Sequence, residues 1–417
     1  MHNCISFTPT IQQSLSSKNN IAKWNETLDS YDNKDYRKAI YDLFDYIDED
    51  ILKHYANADQ SQIIIPQGSA VVIIDIGADT ISIKTSFVKL PADKQLPILR
   101  KCTELNFGSM SLPQIFLDGD MLTLSYSMPI ELCEPYKLYD TLRDMATNAD
   151  KYDDEFVSKF GATRIMEPQI KHYPDEQLQE IHTNVIAIAD EALKYAAYYE
   201  SKRDLLTAGD SLFIGINRIK YYADPTGVLN NKLNDAISSF YNRNNDINAK
   251  IKIMRGALEA VKNIGASESK NAFCITYQLI PLKSNASRGY LKDWIAKQYE
   301  NVESLVNKEN YSIATIYSLY TLYVILADFN IDENSSRAIE YSLKKAAGKP
   351  WAETAPILLK AMRFFYLNEQ EAFDMEEEIV AEGMPAFNTE EYMKDINGIV
   401  DQYKSMIGNF MKGLAKN

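Results

Sequence analysis

Between Asp35 and Tyr55 the chain places Tyr36, Ala39, Ile40, Leu43, Ile47 and Ile51 at intervals of three and four, the spacing of one helical face. The period then changes. Gln62 to Pro66, Ala70 to Gly77 and Thr80 to Val88 are runs rich in Ile and Val. In the third, Ile81, Ile83, Thr85 and Phe87 alternate with Ser82, Lys84 and Ser86, which predicts a strand with one buried and one wet face. Gly77, Ala78 and Asp79 supply the turn before it. Beyond Pro91, the apolar positions Leu96, Leu99, Cys102 and Leu105 return to helical spacing, with Pro97 tolerated in the first turn. The stretch PQIFLDGDMLTLSYSMP, from Pro113 to Pro129, sets two β-favouring runs around Asp118-Gly119, a dipeptide suited to the positive φ angles of a tight hairpin. Glu134 to Phe160 then keeps Leu138, Leu142, Met145, Ala149, Tyr152, Phe156 and Phe160 on one helical face, with Gly161 as its C-cap.

Past Ala162 the segment TRIMEPQIKHYPDEQ holds Pro168 and Pro174 and loses periodicity, which reads as a linker. Leu178, Ile181, Val185, Ile188, Ala192, Tyr195 and Tyr199 resume at alternating spacings of three and four, a seam for helix pairing. Its partner is expected within the same domain, an intermolecular coiled coil being the other reading. From Ser211 onward helical stretches are separated by ADPTG, GASES, PLKSNAS, DFNIDENSS and AGKP. Tyr311 to Phe329 is apolar nearly all round and predicts a central buried helix. The tyrosines at helical spacing in this region read as core and rim packing. The predicted organisation is an N-terminal segment, 1–33, partly helical or disordered; an α+β domain, 34–162; a linker, 163–176; and an all-α helical domain, 177–417.

One segment, NKDYRKAIYDL, places Tyr36, Ala39 and Leu43 at offsets found in the second helix of a tetratricopeptide unit. The first-helix Gly is missing and no 34-residue period follows, so an amphipathic helix with a mixed core face accounts for it. A broader likeness lies in the order helix, three strands, helix, two strands, helix. With the text GSAVVIIDIGADTISIKTSFVKLP, then ELNFGSMSLPQIFLDGDMLTLSYSMP, then YKLYDTLRDMATNADKYDDEFVSKFG, residues 34–162 resemble the bacterial YbjN family and the class I type III secretion chaperones. The resemblance implies a five-stranded antiparallel sheet against helices, no enzymatic motif to carry over, and an accessory or chaperone-like role. It also implies a protein or peptide partner, or a second copy of the chain, held at a sheet edge or at the Leu96 to Leu105 helix. Ile115, Leu117, Leu122 and Leu124 are then expected to pack inward. Secretion chaperones stand alone, whereas here a longer helical region follows.

Composition narrows the function classes. The 417 residues are 46% hydrophobic and 24% charged, enough to bury two or three cores. The formal net charge of -14 repels nucleic acid and anionic membrane, and the densest basic pair, Lys344-Lys345, is too short to offset it. No apolar run approaches a membrane span, the N-terminus lacks the pattern of a secretory signal, and Cys4, Cys102, Cys133 and Cys274 lie too far apart for a disulfide framework or a cysteine zinc site. A cytoplasmic protein is expected.

Candidate chemistry is sparse. His2, His54, His172 and His182 include no pair at metal-binding spacing. Asp328, Asn330 and Asp332 match the first offsets of a calcium loop, but Glu333 and Ile339 stand where Gly and a bidentate carboxylate are required, so a polar loop capped at Asn334 or Ser335 is expected. Neither GxGxxG nor GxxxxGK[ST] occurs, and there is no nucleophile elbow. A Cys-His or Ser-His arrangement assembled in space stays open. Asp118 and Asp120 could act as a carboxylate pair, though turn chemistry explains both. No catalytic, cofactor-binding or metal residue is assigned. A protein-binding role is the expectation, and a small-molecule enzyme with a dispersed site in the helical domain is the alternative.

Overall fold

A computed structural model describes residues 3–366 apart from positions 12–14, 17–20, 50, 69, 94, 109, 166–169, 279, 281–282 and 332. The N-terminal part is α+β and the rest is helical. Its elements are β1 (Leu15–Ser16), α1 (Ile21–Asp32), α2 (Tyr36–Ile47), α3 (Ile51–Tyr55), β2 (Gln62–Gln67), β3 (Ala70–Ile76), β4 (Thr80–Lys89), α4 (Gln95–Gly108), β5 (Gln114–Asp118), β6 (Met121–Pro129), α5 (Pro135–Phe160), β7 (Thr163–Arg164) and β8 (Ile170–His172). Strands β2, β3, β4, β6 and β5 lie side by side in that order, each antiparallel to the next, which is the expected five-stranded sheet.

Alternation decides which face is buried. Ile63, Ile65, Val72, Ile74, Ile81, Ile83, Leu122 and Leu124 are buried, and α5 packs against β3, β4 and β6. Six of the seven expected stripe residues of α5 are buried, from Leu138 to Phe156, while Phe160 is half-buried, and Gly161 ends the helix at φ 70°. A bulge between Ser86 and Val88 in β4 puts Phe87 and Val88 both inside and ends the strict alternation there. In the hairpin the two-residue turn is Gly119–Asp120, with Gly119 at φ 63°. The glycine thus serves the first turn position, and the turn lies one residue later than the Asp118-Gly119 reading.

The sheet is longer than expected, and the extra strand comes from afar. β9 (Cys274–Gln278) lies in the region expected to be all helical, yet it pairs with β2 at Gln67↔Gln278 and runs parallel to β1. The buried Gln67 amide secures it, donating to Ile280 O at 3.0 Å and accepting from Ile280 N at 2.9 Å. The stretch 163–176, expected to be a linker, carries β7 on β4 and β8 on β9. Arg164 also pairs with Asp153 and Asp154 of α5.

Two compact units result: the described residues of Ser14–Lys171 with Cys274–Leu282, and those of Met1–Gln13 with His172–Phe273 and the stretch from Lys283. The segment 1–33 is accordingly shared between them. In the helical unit are α6 (Asp175–Ser201), α7 (Leu205–Ala223), α8 (Gly227–Tyr241), α9 (Ile247–Lys262), α10 (Ala266–Ala272), the strand β10 (Ser284–Asn285), α11 (Arg288–Asn307), α12 (Tyr311–Asp328), the strand β11 (Phe329–Asn330), α13 (Glu333–Ala346) and α14 (Trp351–Arg363). The seam of α6, Leu178 to Tyr199, is buried and α6 packs on α7 of the same chain. Helix α12 is buried on nearly every side, as its composition predicts.

The N-terminal residues are held in this unit by one buried cation. Arg218, 2% exposed, donates to Glu191 Oε2 at 2.7 Å and to Ser6 O at 2.7 Å, while Glu191 accepts from Ser6 N at 3.0 Å. Cys4 N donates to Lys349 O and Ile11 N to Tyr222 O, so the segment follows the helices as a strap.

Candidate protein-binding surface

The predicted chemical residues disperse. His54 is exposed on α3, His172 Nδ1 lies 3.0 Å from Lys270 O, and His182 sits on α6. His2 and Asp332 lie outside the described residues. Asp328 pairs with Lys220 at 3.7 Å, and Asn330 donates to Asn285 Oδ1 at 3.2 Å, so both are used in joining elements. Helix α13 begins at Glu333, which puts Asn334 and Ser335 inside the helix instead of at its cap. Asp120 pairs with Lys89 at 2.7 Å beside the hairpin turn. Lys345, at the end of α13, donates to Tyr341 OH at 2.7 Å.

All four cysteines are buried and free of disulfides. Burial pushes the thiols of Cys4 and Cys133 up to about 12 and that of Cys102 to about 11, so these three carry little thiolate at neutral pH. Among the described residues no group of three or more His, Cys, Asp or Glu side chains is placed to hold a metal ion. In the helical unit, burial and then the charge of Asp204 push the Asp210 carboxyl up to about 7, a value suited to proton transfer. A small pocket in the same unit, lined by Ile5, Tyr195, Ser211, Gly215, Arg218 and Leu319 among others, is about 10 Å³, room for one water.

Five exposed large apolar side chains come from one stretch of the sheet unit. Leu96 (59% exposed), Phe107 (90%), Leu112 (36%), Phe116 (53%) and Leu117 (49%) all come from one helix–loop–strand segment, α4 to β5. Of these, Leu117 corrects the sequence reading, and Leu96 lies in the helix offered there as a partner-holding surface. Helix α4 turns Ile98, Cys102 and Leu105 inward, and Leu96, two residues before Ile98, lies about 200° around the helix from it. Leu117 was expected inside with Ile115, Leu122 and Leu124, which are buried. It stands one residue from the turn on the outermost strand, flanked only by β6.

The backbone edge of β5 is treated differently from its side chains. Because Asp118 pairs with Met121 across the turn, the mutually bonded residues are Asp118/Met121, Phe116/Thr123 and Gln114/Ser125. Ile115 and Leu117 therefore turn their N–H and C=O outward. Asn106 at the end of α4 takes both groups of Ile115, accepting from its N–H at 2.8 Å and donating to its C=O at 2.9 Å. Pro113, next in the outward series, has no N–H. A visiting strand would find both groups of Leu117 and the C=O of Pro113, so this edge is blunted against strand addition while its side chains stay presented.

Beside this segment is an open depression of about 360 Å³, walled by Ser111 and Leu112 and by Lys137, Asp140, Thr141, Arg143 and Asp144 of α5. Arg143 pairs with Asp140 at 3.2 Å. Two cations and two carboxylates with one leucine make a mixed, solvated wall. No described helix is long and apolar enough to cross a membrane. No family model matches the chain, and no curated protein does either.

Proposed function

We propose that residues 34–162 are a YbjN-type, secretion-chaperone-like domain, and that the chain is a cytoplasmic, non-enzymatic protein-binding or accessory protein. Its partner is another polypeptide, held by side chains of α4 and β5. The observation that carries this reading is the exposure of Leu96, Phe107, Leu112, Phe116 and Leu117 within one helix–loop–strand segment, with Leu96 and Phe107 on the same side of α4. The helix–strand order and the five antiparallel strands support the resemblance at the level of fold, which by itself names no partner. The Asn106 clamp favours docking by side chains over strand addition.

A photo-reactive phenylalanine analogue at position 107 or 116 of the full chain tests this in cells. Adducts of defined polypeptide mass are expected at both positions, and few from Lys159, on an exposed polar stretch of α5. Adducts of twice the chain mass would identify a second copy as the partner. Equal yields at all three positions would remove the basis for the reading.

A further inference from the structure

Three helices of the sheet unit bring four aromatic rings together. Trp24 of α1 lies 4.8 Å, between ring centroids, from both Tyr46 of α2 and Tyr136 of α5, and 6.4 Å from Tyr139. Tyr46 and Tyr139 are 5.8 Å apart. The Trp24 indole N–H points to Tyr136 OH at 3.4 Å, and Tyr136 is 57% exposed. The rings meet tilted or edge to face, with no gap wide enough to surround a small cation. Tyr136 reaches solvent, and Trp24, Tyr46 and Tyr139 are half-buried behind it.

The charges around these rings are unevenly matched. Lys23 is engaged by Glu26 at 2.8 Å, and Lys38 by Asp42 at 2.6 Å. Asp45, next to Tyr46, and Glu49, in the turn after α2, have no ion pair among the described residues. Burial raises the Asp45 pKa; Lys23 opposes the rise, and Asp42, Glu26 and Glu49 add to it. With Lys23 matched by Glu26 and Lys38 by Asp42, Asp45 and Glu49 are left as carboxylates in excess near the end of α2.

We infer that the Trp24–Tyr46–Tyr136–Tyr139 face docks a cationic segment of another polypeptide, one that alternates Lys or Arg with apolar residues. Asp45 and Glu49 complement its charged heads. The rings take its aliphatic stems and apolar side chains, a use that closely packed rings fit and a free small cation does not. The net charge of -14 steers such a segment from a distance. This surface is separate from the α4–β5 segment and does not depend on the reading given to it.

The test titrates the full chain with a 12-residue peptide of alternating lysine and leucine pairs, and with its glutamate-for-lysine counterpart, by calorimetry. The lysine peptide is expected to bind, more weakly as salt rises, and the glutamate peptide is not. Asp45→Asn combined with Glu49→Gln should weaken binding about 5-fold or more, and Tyr136→Ala, at an exposed ring, by a similar factor. Phe107→Ser should leave the affinity unchanged, which separates this site from the α4–β5 surface. Equal binding of the two peptides, no saturation by about 1 mM, or an unchanged affinity in either the carboxylate or the tyrosine variant would each overturn the inference.

Discussion

Asp210 shows how a single residue can act against the fold that contains it. Its carboxyl lies in α7 with Asp204 one and a half turns before it, and it adds to the burial that raises the pKa of Tyr317 and Tyr320 on α12. With a native pKa of about 7 and an ordinary value near 3.8, the native state holds this proton over a range in which the unfolded chain has released it. The unfolded state binds fewer protons there, so the group's contribution to stability falls as pH rises from about 4 to 7. Asp210→Asn keeps the shape and removes the ionisation. The variant should melt higher than the parent at pH 8, match it closely at pH 4.5, and show a flatter dependence of Tm on pH between them. Equal melting temperatures at pH 8, measured by circular dichroism, would mean the carboxyl is better solvated than its surroundings imply. Nothing in the sequence around LLTAGDSLF marks this residue, because its burial depends on how α6, α9 and α12 pack around α7. The same holds for Arg218, whose partners Ser6 and Glu191 are distant in the chain.

At the scale of elements, the legible features were those written in a single period. The α5 stripe, the α6 seam and the buried α12 follow from spacing alone, and the strands β2, β3, β4 and β6 from β-branched runs. Side-chain direction failed where the element had little cover, as at Leu117. The devices at the two ends of the sheet also escaped, since an amide that replaces a neighbouring strand leaves no pattern. Gln67 does this for Ile280, and Asn106 does it for Ile115. Asn106→Ala would release both backbone groups of Ile115 to water and to other chains. A loss of about 1–2 kcal/mol in urea unfolding is expected from two bonds exchanged for solvent, together with concentration-dependent growth in light scattering as the β5 edge opens. A variant that lost stability but stayed monomeric would show that Pro113 and Leu117 protect the edge without the clamp.

For the whole molecule, the α+β and helical division could be read from the chain, but its interleaving could not. The run FCITYQ is short, β-favouring and bounded by Pro281, so a strand was locally legible; its place beside β2 was not, because pairing over two hundred residues leaves no local trace. This bears on whether the α+β domain, 34–162, can fold alone. The five central strands and α2 to α5 lie within that range, with α1 just before it, but without β9 the buried Gln67 amide loses both bonds to Ile280, and β2 loses its cover at Gln67. A buried amide left unpaired costs about 1–3 kcal/mol. A fragment of residues 21–171 is therefore expected to fold, to melt well below a version carrying residues 274–280 on a flexible linker, and to self-associate through β2. Attaching the strand should raise Tm by several degrees and restore a monomer, and Gln67→Ala in the fused fragment should remove most of that gain. If the two fragments melt together and both remain monomeric, β9 is an accessory to the sheet and the N-terminal domain closes without it.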